Sequence, residues 1–132
     1  MHIEIVVRNH LLDDKEIEKL IENKLRPLKS RTGDDTPYGV YQKISSSETY
    51  THEGNTKLVT DRLQLSFIHK TTEYGELKDL VKLVKNRMDE LVNEQGIVES
   101  CFFEDENESY ESESDYFKID LDYMISYIRS DL

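Results

Sequence analysis

The chain has 132 residues, of which 36% are hydrophobic and 34% charged, and its formal net charge is −11. That length suits one domain over residues 1–132, and the charge argues against binding to the nucleic-acid backbone. No apolar run approaches the roughly 20 residues that cross a bilayer, so we expect a soluble chain with no membrane partner and no signal peptide. The single cysteine, Cys101, cannot form an intramolecular disulfide, which suits a reducing compartment, and we expect it to be a small core residue.

The N-terminal part predicts two helices followed by a loop. Apolar residues at positions 3–11 fit a helical stripe better than they fit strand alternation. Asp13 then precedes Glu16 by three residues, as in a capping box, and predicts the start of a second, short helix. Its apolar pattern continues until Pro27 breaks it. Residues 29–36 contain no apolar side chain and therefore predict a loop.

The middle of the chain predicts an antiparallel pair of strands. Residues 37–44 alternate between the two faces of a strand, and residues 58–69 alternate again through Leu63, Leu65 and Phe67. The polar stretch between them, residues 45–56, is too long for a tight hairpin turn. We expect it to form an exposed hairpin arm or a mobile loop.

The last third predicts a long helix and two more strands. The helix spans about residues 73–95, with Gly96 available as its C-terminal cap. Residues 97–103 and 116–128 predict strands, and the acidic residues 104–115 between them predict a solvated connection or a twisted extension of the hairpin. The face of the helix opposite its apolar stripe carries three lysines, Lys78, Lys82 and Lys85.

The element order α-α-β-β-α-β-β predicts an α+β fold, in which helices pack on one face of an antiparallel sheet of about four strands. The charge is unevenly distributed along this order. Residues 1–98 hold 17 acids and 15 bases, whereas residues 99–132 hold 11 acids and two bases. Such a stretch forms a solvated face, or it binds a basic partner.

We predict no enzyme activity, no cofactor and no metal, because the chain lacks the motifs of phosphate, metal and acyl chemistry. We expect His10, which lies near two aspartates, to be a surface or capping residue. Four carboxylates can in principle converge on a divalent cation, as in two-metal nucleases: Glu104, Asp105, Asp120 and Asp122. However, Asp120 and Asp122 share the strand face opposite the apolar residues, which predicts a solvent-facing row.

The run Pro37 to Ser45, PYGVYQKIS, resembles the opening strand of the tail completion proteins of long-tailed bacteriophages, also called tail terminator or tail-to-head joining proteins. Other segments resemble further parts of the family pattern in the same order, so that the resemblance spans nearly the whole chain. They are residues 25–28, before that strand, residues 61–67, its second strand, residues 72–88, the long helix, and residues 115–123, the closing strand. The chain departs from the pattern in its longer and more acidic residues 104–115.

The resemblance implies a structural virion subunit that assembles in the cytoplasm of the bacterial host. Subunits of this family form a hexameric ring on the head-proximal end of the tail tube, where the ring stops tube growth and joins the tail to the head. The implied partners are further copies of the chain, the tail tube protein and the head–tail connector protein. In solution the chain is either a ring or a monomer, and DNA passes through the ring without specific binding.

We expect the subunit interface on the predicted arm and the strand that follows it, at Ser47, Glu48, Tyr50, His52, Glu53 and Arg62. A second set of residues is expected to line the channel or to face a basic partner: Glu104, Asp105, Glu106, Glu108, Glu111 and Glu113. Two other functions stay open. The chain can be an acidic inhibitor or DNA mimic that binds a basic nucleic-acid-binding protein, or it can be a generic α+β adaptor.

Overall fold

The computed structural model describes residues 2–131, which form an α+β fold with a single five-stranded sheet. Within these residues, none of the helices combines the length and the apolar character needed to cross a bilayer. Short 3₁₀ turns follow the third and fifth strands. The main elements, in chain order, are α1 (Ile3–Leu12), α2 (Lys15–Ile21), β1 (Leu25–Pro27), β2 (Tyr38–Thr51), β3 (Gly54–Lys70), α3 (Tyr74–Asp89), α4 (Leu91–Glu94), β4 (Val98–Glu111) and β5 (Tyr116–Ile128).

The strands lie in the order β1-β2-β3-β5-β4. Strand β1 runs parallel to β2, and every other neighbouring pair is antiparallel. The helices cover one face of this sheet, where side chains from alternate positions of β3 and β5 are fully buried: Leu63, Leu65, Phe67, Ile119, Leu121 and Ile125. The alternation predicted for these two strands is therefore confirmed, because burial of one sheet face imposes a period of two on the sequence.

The predicted sheet of about four strands lacked β1, which adds a fifth strand and changes the predicted element order. Helix α2 ends at Ile21, well before Pro27, because the chain reverses at Glu22, whose φ is 57°. This reversal brings Leu25 into the sheet edge, where it is fully buried beside Gly39. Leu28, which follows β1, is 70% exposed.

The ends of the helices also differ from the predicted ones. Asp14, rather than Asp13, caps α2, since its carboxylate accepts hydrogen bonds from the backbone N–H groups of Glu16 and Ile17 at 2.9 and 3.2 Å. The long helix is divided at Glu90 into α3 and α4. Helix α4 ends at Glu94, so Gly96 does not cap it.

Both hairpins are longer than their apolar patterns. The strands β2 and β3 continue through the polar residues 45–56 and leave a two-residue turn at His52 and Glu53, so of the two predicted forms the structure has the exposed hairpin arm and not the mobile loop. Side-chain hydrogen bonds stabilise this extended hairpin; for example, the Thr56 hydroxyl donates to the Thr49 carbonyl at 2.7 Å. At the other hairpin, the prediction of an extension is confirmed, because β4 continues to Glu111.

Candidate assembly surface

The face of the sheet that the helices leave uncovered carries a ladder of polar side chains. Asp122 on β5 accepts hydrogen bonds from Arg62 Nη2 at 2.7 Å and from Gln64 Nε2 at 3.1 Å. In the next row of this face, Ser66 Oγ donates to Asp120 Oδ1 at 2.6 Å. The hydrogen bond and charge of Asp122 raise the pKa of Arg62 above its usual range.

This ladder corrects the prediction of a solvent-facing row at Asp120 and Asp122. Asp122 is only 5% exposed, because Arg62 and Gln64 lie beside it on the neighbouring strand. The basic partner of Asp122 is Arg62, which lies 60 residues away in the chain, and Lys118 Nζ lies 3.9 Å from the Asp120 carboxylate. A carboxylate neutralised in this way is a poor candidate for a two-metal nuclease site.

The distal part of the β2–β3 hairpin, residues 47–57, forms an exposed arm. Five of the residues predicted at the subunit interface lie in this arm, namely Ser47, Glu48, Tyr50, His52 and Glu53. The sixth, Arg62, lies nearer the body of the sheet. The Glu48 carboxylate anchors the base of the arm through Arg129 Nη1 at 2.9 Å and Asn55 Nδ2 at 3.3 Å. Tyr50 is 67% exposed and is free to contact another molecule.

The acids predicted on the last hairpin divide into two groups. Residues 104–111 of β4, which we call the acidic edge, contain five acids and no base. Glu106 and Glu108 face α3, where Lys85 Nζ lies 3.1 Å from the first carboxylate and Lys78 Nζ 2.9 Å from the second. The other four predicted acids are in neither pair. Glu104, Asp105 and Glu111 are exposed on β4, and Glu113 lies in the turn.

The pairing with α3 has a measurable electrostatic signature. Hydrogen bonds from Lys78 and from the Tyr74 hydroxyl lower the pKa of Glu108. The same bond to Glu108 raises the pKa of Lys78. Two of the three lysines that the helical pattern placed on the face opposite the apolar stripe therefore contact the acidic edge, and only the sheet topology reveals this contact.

The first half of β4 has exposed aromatic side chains that sequence reasoning treated only as part of a strand. Phe102 is 64% exposed, and the neighbouring Phe103 is also exposed. The Phe103 ring makes an edge contact with Tyr123, at 5.6 Å between centroids, and Lys85 Nζ lies 4.6 Å from its centre. Consecutive strand residues point to opposite faces, so this edge strand carries an exposed phenylalanine on each of its two faces, where a partner can contact them.

Only one group of described residues brings potential metal ligands together, namely His69, Glu73 and Glu76, whose ligand atoms lie within 4.8 Å of one another. His69 Nδ1 accepts a hydrogen bond from the Lys70 backbone N–H at 2.9 Å. Nε2 is buried, has no hydrogen-bond partner among the described residues and lies 3.3 Å from the Glu76 carboxylate. Exposed acidic groups of this kind are common without a metal ion.

The expectation that His10 lies at the surface was wrong. Its side chain is 1% exposed, and its Nε2 lies 2.8 Å from the Arg87 carbonyl oxygen. Arg87 Nε in turn donates to the His10 carbonyl at 2.9 Å. These reciprocal bonds join α1 to α3, so the role of His10 is structural.

A second buried polar group joins α1 to the sheet. Asp61 is fully buried and accepts a hydrogen bond from the Tyr127 hydroxyl at 2.8 Å. Lys43 Nζ lies 3.3 Å from Asp61 and 3.2 Å from Glu4 of α1. Burial, reinforced by the bond to Asp61, raises the pKa of Tyr127. The group places a cation between two carboxylates and so holds the first turn of α1 against the sheet.

Comparison with known proteins places the fold among solved structures. No protein-family profile matches the sequence, and no curated protein matches it. The fold is similar to that of a chain in the solved structure described as the virion of the native gene transfer agent (GTA) particle, with a TM-score of 0.75 and 12% sequence identity. The similarity covers 95% of this chain and 93% of that chain. At this identity it is a likeness of fold.

Proposed function

We propose that this chain is a structural subunit of a virion of the phage type, present at the head-proximal end of its tail. In this proposal, copies form a hexameric ring that caps the tail tube, stops its growth and joins the tail to the head. The protein acts by binding other proteins and has no catalytic role. The observation that carries the proposal is the end-to-end fold similarity to a chain of the gene transfer agent virion.

The sequence resemblance supports the finer part of the proposal. The segment that resembles the opening strand of the tail completion family, residues 37–45, lies at the start of β2. The segments that resemble the second strand and the long helix fall in β3 and α3. Sequence order and three-dimensional order therefore agree along the chain, and the similar virion chain has nearly the same extent.

The open edges of the sheet support ring formation. Strand β1 covers β2 only at residues 39–41, and β4 is the outer strand on the opposite side. Unpaired strand edges are surfaces for association, and head-to-tail contacts close into a ring when the rotation permits. The arm at residues 47–57 extends beyond β5, whose last residue, Ile128, pairs with Leu58. We assign this arm to contact with the neighbouring subunit or with the tail tube protein.

The polar ladder on the uncovered face suits a channel through which DNA passes. Its hydrogen bonds are satisfied within the subunit, and both of its aspartates, Asp120 and Asp122, are held by neighbouring side chains. The exposed acids Asp105 and Glu111 lie on the strand next to β5 and repel phosphate groups within a Debye length of about 8 Å at physiological salt. The head–tail connector protein then docks on the side of the ring away from the tube.

Gene deletion tests the proposal. Lysates of the producing bacterium should contain DNA-filled heads separated from tails, and tail tubes of abnormal length, when viewed by negative-stain microscopy. Complementation with the intact gene should restore joined particles, and mass spectrometry of purified particles should detect the chain. Normal particles from the deletion strain would show that the proposal is wrong.

The same preparations test the alternative of an acidic inhibitor or DNA mimic. That function predicts a chain that is absent from purified particles and that removes a basic protein from DNA in a pull-down at physiological salt. The pairing of Glu106 and Glu108 with lysines reduces the bare negative surface that a mimic requires.

A further inference from the structure

The sheet places oppositely charged segments at its two edges, in the same transverse rows. Arg26 of β1 aligns with Val40 of β2, which aligns with Ser66 of β3. Ser66 aligns with Asp120 of β5, and Asp120 aligns with Asn107 in the middle of the acidic edge. The strand β1 and the acidic edge therefore lie level with each other on opposite sides of the subunit.

The segment around β1 is as basic as β4 is acidic. Residues 24–31, which we call the basic segment, contain four bases and no acid, whereas residues 104–111 contain five acids and no base. Arg26 is already paired with Asp34 at 3.3 Å, but Lys29 and Arg31 are exposed. On the acidic edge, Glu104 and Asp105 are similarly exposed. Each edge thus keeps exposed side chains of one sign, Lys29 and Arg31 on one and Glu104 and Asp105 on the other.

The two edges also match along the part of β2 that β1 does not cover. Beyond the short β1, the outer edge of β2 is open from Lys43 onward. Its residues 43–48 lie level with residues 98–103 of β4, where Phe102 and Phe103 are exposed. Ile44, which is exposed on the β2 side, supplies an apolar counterpart. The pairing of β4 is irregular between Phe103 and Asp105, close to the level at which the opposite edge steps from β2 out to β1.

Strand directions permit these edges to meet in a second copy of the chain. Successive antiparallel pairings make β4 antiparallel to β2, and β1 is parallel to β2. If one copy is carried onto the next by rotation about an axis that runs roughly along the strands, each strand keeps its direction. The β4 edge of one copy therefore meets the β1–β2 edge of the next in antiparallel orientation, which is the favoured pairing of strands.

We propose that the copies of this chain associate head to tail through these two edges. Residues 98–103 of one copy lie along residues 43–48 of the next, and the acidic edge lies against the neighbour's basic segment. This inference deepens the proposed ring and rests on it for its biological setting. It also explains the concentration of acid near the C-terminus as one half of a complementary interface.

Reciprocal charge reversal tests the interface. One variant carries Lys29→Glu and Arg31→Glu, and the other carries Glu104→Lys and Asp105→Lys. In a solution of either variant alone, every contact between copies brings like charges together. The protein concentration at which half of the chains are assembled should therefore rise at least about tenfold. An equimolar mixture should assemble again if the two variants alternate. The two reversed edges then carry opposite charges where they meet, and so do the two unchanged edges. Sedimentation velocity and native mass spectrometry measure the assembly at raised concentration.

A matched control reverses two exposed acids on α2, with Glu16→Lys and Glu18→Lys, and should assemble as the wild-type chain does. Circular dichroism verifies that each variant is folded. The proposal is overturned if the wild-type chain stays monomeric at raised concentration, if the reversed variants assemble normally, or if mixing them fails to restore assembly.

These outcomes are distinguishable from failure of the proposed function. Wild-type chain found in purified particles, together with variants that still assemble, would reject this interface and leave the virion role in place. Restored assembly in the mixture, together with a deletion strain that makes normal particles, would support the interface and reject the role at the tail.

Discussion

Arg62 on β3 reaches diagonally to Asp122 on β5, with 2.7 Å between the guanidinium Nη2 and the carboxylate Oδ2. The pair is the centre of the polar ladder on the uncovered face, and Gln64 completes the coordination of the carboxylate. A charged group this buried keeps its place only while it is hydrogen-bonded. The stability of this face therefore depends on Asp122 more than on the exposed acids around it.

Replacement of Asp122 by alanine should lower the free energy of unfolding by about 2 kcal/mol, because hydrogen bonds to a buried charged group are lost. Urea denaturation followed by circular dichroism measures the change. Asp105→Ala, which removes an exposed carboxylate from the paired position on β4, should have little effect. Addition of Arg62→Ala to Asp122→Ala should cause little further loss; full additivity of the two changes would contradict the assigned pairing.

Gly39 is required where β1 packs beside β2. A Cβ at this position would lie 2.8 Å from Leu25 Cδ1 and 2.8 Å from Phe67 Cε1, and both of these side chains are fully buried. Gly39→Ala should therefore destabilise the chain by about 1–3 kcal/mol through overpacking. Gly75→Ala is the matched control, since it meets no atom within 4 Å and should be neutral or stabilising in α3. Thermal denaturation compares the two variants.

Cys101 should react slowly with thiol reagents in the folded protein. Burial, with a smaller effect of Asp89, raises the pKa of the Cys101 thiol to about 12. The thiolate is the reactive form, so labelling at pH 8 should be at least about a hundredfold slower than in the unfolded chain. Spectrophotometric thiol titration, with and without denaturant, measures both rates. Equal rates would show that the thiol is freely accessible at the sheet edge.

The contact between Glu108 and Lys78 predicts a small dependence of stability on pH. Because the folded state lowers the pKa of Glu108, its contribution is complete above the unfolded value, near 4.5, and is lost as pH falls through the lower folded value. The effect is modest because the pair is exposed. Glu108→Gln should lower Tm at pH 7 and converge with the wild type in acid.

Glu113→Gln, in the turn of the same hairpin, is the control for this measurement and should leave the Tm profile unchanged. A constant difference between Glu108→Gln and the wild type at every pH would mean that the carboxylate acts through packing and not through its charge.

The arm should affect assembly without affecting the fold. Tyr50 and His52 are exposed and lie outside the hydrophobic core, so Tyr50→Ala combined with His52→Ala should change Tm by no more than a few degrees. In the producing bacterium the variant should reduce the yield of joined particles, as counted by microscopy and infection or transfer assays. Deletion of residues 47–55 should abolish joining. Normal joining after this deletion would exclude a role for the arm.

Local pattern determined much of the fold from the sequence alone. The period of two in β3 and β5 and the apolar stripe of α3 predicted these elements, because each buries one face and its sequence carries that periodicity. The prediction of an α+β class follows from the same signal. The predicted interface residues on the arm also came together, since they lie close in sequence and share one hairpin.

Only the tertiary structure decided the features that depend on contacts between distant parts of the chain. Strand β1 has three residues, too few for any period, and it exists because Leu25 packs beside Gly39. Two acids of β4, Glu106 and Glu108, pair with lysines of α3, and Asp122 is covered by Arg62 and Gln64. The alignment of the basic segment with the acidic edge likewise depends on strand order, which brings residues some 80 positions apart in the chain into common rows. Sequence periodicity reports which face an element buries, whereas the identity of the neighbouring element is set by how the whole sheet is assembled.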